Sequence, residues 1–245
     1  MDLTRVCILG TPRCGSQYVS QLIAGTIKEA TGKHVYDMLE PFTKDVDYFP
    51  ILTPGSTNLL QHYQTDTPMS YNDRVTHVLN TLKKGNSDWP LVMKIFPYHY
   101  SLEKWDEIIL GIKNAGFKFV ILKRNNIEEQ LLSYGIANAT QQWNCFFEKK
   151  LDQPIHIHHQ SIKDLYNMLI EFDATLDQFG LKNSPVIHYE TCIEDLFQLL
   201  NRKISMNEVK VIKQRNDDPY RFILNATEIK WLIRRLINGN SIYQT

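Results

Sequence analysis

Four short apolar runs recur along the chain, and each is followed by a segment that carries helix signals. RVCIL spans Arg5–Leu9, LVMKI spans Leu91–Ile95, FKFVIL spans Phe117–Leu122 and PVIH spans Pro185–His188. A strand buried on both faces shows no polar alternation, so such runs between helices predict a parallel sheet covered on two sides. Helices are predicted over Ser16–Ala30 and Leu102–Ala115. Asn126-Ile127-Glu128-Glu129 reads as a capping box, with Asn126 as cap and Glu129 reaching back. Ile162, Leu165, Tyr166, Leu169, Phe172, Leu176 and Phe179 recur at helical spacing, and Gly180 follows as a stop. Ile193–Leu200 and Thr227–Ile237 complete the pattern. The expected class is α/β: a P-loop-type parallel β-sheet flanked by helices. No repeat or linker interrupts the 245 residues, so one domain over 1–245 is expected.

In open parallel sheets ligands gather at the carboxyl ends of the strands. The residues there are therefore the first candidates. After the first run comes GTPRCGSQ, Gly10–Gln17. A G-x-x-x-x-G loop before a helix aims backbone N–H groups at an anion, and Arg13 adds a fixed charge with forked donors. A nucleotide hydrolase would continue with Lys and Ser or Thr after Gly15; here Ser16 and Gln17 follow. After the third run comes KRNNIEEQLLS, Lys123–Ser133. Arg124 falls at the strand end, and Asn126, Gln130 and Ser133 share one helix face. Two anion sites at neighbouring strand ends suit a ligand with two separate anionic groups, such as a nucleotide phosphorylated at both ends of its ribose. Lys94 ends the second run and HYETCIEDL, His188–Leu196, follows the fourth.

Lys plus Arg and Asp plus Glu are both 27, so no net charge argues for nucleic acid or an anionic membrane as partner. No segment has the length and apolarity of a membrane span, and Met1–Arg5 lacks a signal-peptide pattern. Cys7, Cys14, Cys145 and Cys192 form no C-x-x-C pair and are too few for a disulfide scaffold, so reduced thiols in the cytoplasm are expected. Cys14 reads as a small residue fitting a tight turn rather than as a reactive thiol. His156, His158 and His159 have no carboxylate or Cys at ligand spacing, so no metal is expected.

These motifs resemble a known family, the sulfotransferases that use 3′-phosphoadenosine 5′-phosphosulfate (PAPS). TPRCGSQYVSQL resembles the family's 5′-phosphosulfate loop, KRNNIEEQLLSY its 3′-phosphate element, and VIHYETCIEDL the segment whose Tyr lies near the adenine. The interval from Arg124 to Ser133 is most like that of the bacterial carbohydrate-type branch. The resemblance implies that Arg13, Cys14, Gly15, Ser16, Gln17 and Tyr18 cradle the 5′-phosphosulfate. It implies that Arg124 and Ser133 bind the 3′-phosphate and that Tyr189 sits near the adenine. Gln17 departs from the family's Thr or Ser, and HYET lacks the Asp of Y-E-D. HVYDMLEPF resembles the segment carrying a general base, which points to Glu40; His99, close to the second strand, is the alternative base. Lys94 matches a lysine that neutralises the transferring group.

The acceptor is expected to be a carbohydrate or small molecule, with the segments Thr43–Pro68 and Asn138–Gln160 as candidate acceptor-site loops. Lys213, Arg215 and Arg221 form a basic C-terminal segment, either a cover for the 3′-phosphate or a solvated cluster. Two other readings stand beside this one: a P-loop kinase or NTPase with a degenerate loop, and a non-catalytic nucleotide-binding protein.

Overall fold

The structure, a computed structural model, describes residues 4–33, 35–38, 41, 70–84, 90–97, 102–143, 153–207, 209 and 218–239. Five parallel strands make one sheet: β1 (Arg5–Leu9), β2 (Tyr36–Met38), β3 (Leu91–Ile95), β4 (Lys118–Lys123) and β5 (Val186–His188), in the order β2-β3-β1-β4-β5. The helices are α1 (Ser16–Thr31), α2 (Tyr71–Lys84), α3 (Leu102–Asn114), α4 (Ile127–Thr140), α5 (His159–Gln178), α6 (Cys192–Leu200) and α7 (Ala226–Asn238). The class is α/β, a P-loop-type parallel sheet flanked by helices. The expected elements are all found, with no end moved by more than three residues.

The lack of polar alternation in RVCIL has a direct cause. Cys7 and Leu9 join the core on one face of the sheet, with Val75, Val78 and Leu79 of α2 and Trp105, Ile108 and Ile112 of α3. Val6 and Ile8 join the core on the other face, with Val19, Leu22 and Ile23 of α1 and Leu196 and Leu200 of α6. Each fully buried aliphatic side chain contributes roughly 1.5–3 kcal/mol, so the two cores fix the register of the central strand from both sides. A third core joins α4, α5 and α7 through Leu131, Ile157, Leu165, Ile229 and Ile233.

Two elements lie beyond the sequence reading. β2 is only three residues long, too short for a periodic signal. α2 carries Val75, Val78, Leu79 and Leu82 at helical spacing, all buried against α3 and the sheet. Asn138–Thr140, placed in a loop by the sequence, form the last residues of α4.

The order β2-β3-β1-β4-β5 puts β1 beside both β3 and β4. The loop after β1 is therefore flanked by the ends of β3, which carries Lys94, and β4, which is followed by Arg124.

Candidate functional site

The loop Gly10–Gly15 turns tightly. Arg13 and Gly15 have φ of 61° and 88°, and the Cys14 amide donates to the Thr11 carbonyl at 3.3 Å. Gly10 allows the Cys14 side chain to fold beneath the loop, since a Cβ at Gly10 would lie 2.8 Å from Cys14 Sγ. Cys14 is fully buried. Burial pushes its thiol up to about 11, outweighing hydrogen bonds from Ser16 and Thr11 and the charge of Lys94. Cys14 is thus a packing residue, which corrects its place among the ligand-cradling candidates: its side chain points into the core with Val6, Ile8 and Phe96.

Above it, α1 starts at Ser16 with Gly15 as N-cap, no side-chain cap and no acid in the first turn. The first amides of a helix lack intrahelical partners and carry the positive end of its dipole. Beside them, Gln17 Nε2 is buried without a hydrogen-bond partner among the described residues. An unmatched buried donor costs about 1–3 kcal/mol unless something accepts from it. Ser16 is buried next to Cys14, and the Tyr18 ring meets the Tyr189 ring edge-on at 6.1 Å.

The second element, at the start of α4, is tied to this loop at three points. Gln130, fully buried, donates from Nε2 to Thr11 Oγ1 at 2.9 Å and to the Pro12 carbonyl at 2.7 Å. Arg13 Nε donates to Ser133 Oγ at 2.9 Å, and Arg13 NH1 to the Trp143 carbonyl at 2.9 Å. Arg124 NH1 donates to the Arg13 carbonyl at 3.1 Å. Gln130 and Ser133 do share the helix face that meets the loop. Asn126 accepts from the Glu129 amide at 3.0 Å as an N-cap should, but the box does not close as expected. The Asn125 and Asn126 amides donate instead to Glu190, both at 3.0 Å.

Arg124 is enclosed, with a side chain only 8% exposed. Its NH2 pairs with Glu129 Oε1 at 2.9 Å, and its Nε lies 3.9 Å from Glu190 Oε1. Its guanidinium carbon sits 4.9 Å from the centroid of the Tyr189 ring. Tyr189 also packs on Gly15, where any Cβ would collide with the ring. Burial raises the Tyr189 phenol above its ordinary value despite the charge of Arg124. Burial alone would raise the Glu190 carboxyl, yet hydrogen bonds from the Asn125 and Asn126 amides, with help from Arg124, hold it below its ordinary value.

Lys94, near the end of β3, is buried. It is 5% exposed, opposite Ile8 in the sheet, and close enough to the Cys14 thiol to act on it. Arg13, Gly15, Tyr18, Arg124, Ser133 and Tyr189 are thus linked in one cluster, with Lys94 beneath the loop. Glu40 and His99 lie outside the described residues, as do Lys213 and Arg215. Arg221 lies over Phe222 at 5.7 Å. The His156 and His158 rings are 5.6 Å apart, and His159 pairs with Glu228 at 3.4 Å. Among the described residues no group of three His, Cys, Asp or Glu could hold a metal ion, and no helix is long and apolar enough to cross a membrane.

Sequence reasoning missed Glu129, Glu190 and Trp143 as members of this cluster. Glu190 had a signal, since it follows Tyr189 at a strand end. Glu129 carries only a capping-box signal in the sequence.

No family model and no curated protein matches the chain. Among solved structures it is similar to a protein of the PezAT chromosomal toxin–antitoxin system of Streptococcus pneumoniae. The identity is 9%, the match covers 96% of this chain and 86% of that one, and the TM-score is 0.34, too low to bear on function.

Proposed function

We propose that the protein is a PAPS-dependent sulfotransferase, transferring a sulfuryl group to a hydroxyl of a carbohydrate or small molecule in the cytoplasm. The observation that carries this reading is the Arg13–Ser133 hydrogen bond of 2.9 Å, which joins the two anion elements that the sequence keeps far apart. A ligand anionic at both the 5′ and 3′ positions needs such a pair of sites side by side.

The residues present fit that ligand at its 5′ end. The uncapped start of α1 and the unmatched Gln17 Nε2 offer donors to an anion, and an amide can donate where the resembling family uses a hydroxyl. At the 3′ end the reading assigns Arg124 and Ser133, each hydrogen-bonded to Arg13, although Arg124 already holds a carboxylate.

When bound, the donor supplies an activated sulfuryl group that the acceptor oxygen attacks in line. The acceptor's O–S bond forms as the bond from sulfur to the 5′-phosphate oxygen breaks. Negative charge then grows on the leaving phosphate, and donors fixed there favour the transition state over the ground state. Lys94, the α1 amides and Gln17 are the groups proposed for this role. Arg13, turned toward α4, is proposed to hold Ser133 and to swing toward the leaving phosphate. Glu40 or His99 would take the acceptor proton. Neither a P-loop lysine nor a magnesium hydroxyl is needed, which accounts for Ser16 and Gln17 after Gly15.

The test is thermal stabilisation by adenosine 3′,5′-bisphosphate without metal, against ATP with Mg²⁺, in wild type and Arg124→Ala. A ligand of the native state raises the melting temperature. The reading expects stabilisation by the bisphosphate that the variant loses. Stabilisation by Mg-ATP alone would replace it with the kinase or NTPase reading. Assay of PAPS against an acceptor panel then distinguishes a transferase from a binding protein.

A further inference from the structure

We propose that Glu129 is an exchangeable counter-anion of Arg124, holding the place of the nucleotide's 3′-phosphate and setting how tightly that phosphate binds. This rests on the PAPS reading and names a regulator of the same site.

Consider what each donor of Arg124 is doing. NH1 is committed to the Arg13 carbonyl, 3.1 Å away. NH2 meets Glu129 Oε1 at 2.9 Å, and Nε is buried with no hydrogen bond among the described residues, Glu190 being 3.9 Å off. One face of the guanidinium is covered by Tyr189. An enclosed guanidinium needs a compensating anion, because an unpaired buried charge is strongly destabilising. A phosphate arriving at Arg124 would need the position Glu129 fills, and two anions cannot share it.

The two nearby carboxylates are not equivalent. Glu190 is fastened by the Asn125 and Asn126 amides, so it belongs to the frame. The Glu129 carboxyl lies on the first turn of α4 with 30% of its side chain exposed. The helix start is capped through the backbone, Asn126 Oδ1 accepting from the Glu129 amide at 3.0 Å, while the carboxyl takes a long contact from Asn126 Nδ2 at 3.4 Å. Glu129 can therefore leave Arg124 for solvent while α4 stays in place. Empty, the site keeps Arg124 aimed and compensated. Filled, the phosphate takes over the same donor. Only ligands with a second phosphate meet this competition; a nucleoside 5′-monophosphate leaves the pair intact.

The test is calorimetric titration of the full chain with adenosine 3′,5′-bisphosphate and with adenosine 5′-monophosphate. Glu129→Gln keeps an acceptor for the contact from Asn126 Nδ2 at 3.4 Å and removes the charge. The bisphosphate is expected to bind Glu129→Gln about three- to tenfold tighter than wild type, the size of one charge-assisted contact, while the monophosphate is unchanged. Glu129→Asp, too short to reach Arg124 as closely, should fall between, and serves alone if the Gln variant does not fold. Bisphosphate binding that is equal or weaker in the variants overturns the proposal, as does a gain shared by both nucleotides. If wild type and variants alike ignore the bisphosphate, the PAPS reading itself has failed, and the proposal with it.

Discussion

Arg13 and Ser133 stand 120 positions apart in the chain and 2.9 Å apart in the fold. Arg13 belongs to the loop after β1, and Ser133 lies in the second turn of α4. The contact follows from topology, since β1 and β4 are neighbours and each delivers its next segment to the same end of the sheet. A double-mutant cycle with Arg13→Ala and Ser133→Ala, read by urea denaturation, should give a coupling of about 0.5–1.5 kcal/mol, as for a partly buried charge-assisted bond. Strict additivity would mean that the two side chains do not meet in solution.

Gly15 and Tyr189 make a second long-range pair. Gly15 has φ 88°, and a Cβ there would collide with the Tyr189 ring. Gly15→Ala should cost about 1–3 kcal/mol, from the left-handed backbone and the displaced ring. The clash component needs the ring, so Gly15→Ala combined with Tyr189→Ala should be less destabilising than the sum of the single changes. Additive losses in thermal denaturation would assign the whole cost to the backbone.

How much of this was legible in the sequence depends on what kind of contact each residue makes. The strands were legible because burial on both faces removes polar alternation from RVCIL and LVMKI. Arg13, Arg124 and Ser133 were legible because chemistry at strand ends has a recognisable pattern. Lys94 is legible as a strand-end lysine but its burial is not, since a strand's end can be roofed by a loop that periodicity does not reveal. Cys14 was placed in the cradle, but its orientation is decided by Gly10, which lets the thiol turn inward. Glu129 and Glu190 are hidden for a related reason: a capping pattern points Glu129 at its own helix start, and it does not say that the guanidinium of Arg124, in the segment just before the helix, pairs with that carboxylate at 2.9 Å. The acceptor side is least legible, because Glu40 and His99 rest on resemblance and lie outside the described residues.

Glu190 makes a prediction about pH. Its carboxyl is held below the ordinary value of 4.5, chiefly by the Asn125 and Asn126 amides acting against burial, with Arg124 assisting. A depressed folded value means that the stabilisation is complete above the unfolded value and is lost as pH falls through the folded one. Wild type minus Glu190→Gln should therefore show a stability difference that is constant at neutral pH and shrinks on acidification below about 4.5. Chemical denaturation from pH 7 to pH 3 reads this directly, with about one unit on either side of the transition sufficing. Parallel curves across that range would remove the carboxylate from the frame of the site.

Cys14 should behave as a core residue despite its place in the loop. Burial raises its thiol to about 11, so little thiolate forms at neutral pH and little reagent reaches it. In a Cys145→Ser background, the three remaining cysteines, Cys7, Cys14 and Cys192, are all buried. Native protein at pH 8 should label with a disulfide reagent only slowly, and unfolded protein should label at once. Rapid native labelling mapped to Cys14 by mass spectrometry would mean that the loop opens on its own.

Gln130 offers the sharpest separation of fold from site. It is fully buried, and its one amide nitrogen serves both Thr11 Oγ1 and the Pro12 carbonyl. Gln130→Leu keeps most of the volume and leaves the Pro12 carbonyl without this donor, a loss of about 1–3 kcal/mol. Because Gln130 touches the loop and not the proposed ligand, its effect on binding must pass through loop position. Bisphosphate affinity should therefore fall in Gln130→Leu even where calorimetry and circular dichroism show the protein fully folded. Gln130→Asn, which keeps an amide one methylene short, should recover less stability than affinity if the loop can shift to meet it. An unchanged affinity in folded Gln130→Leu would show that the loop holds its shape without α4, and the link between the two anion elements would then rest on Arg13 and Arg124 alone.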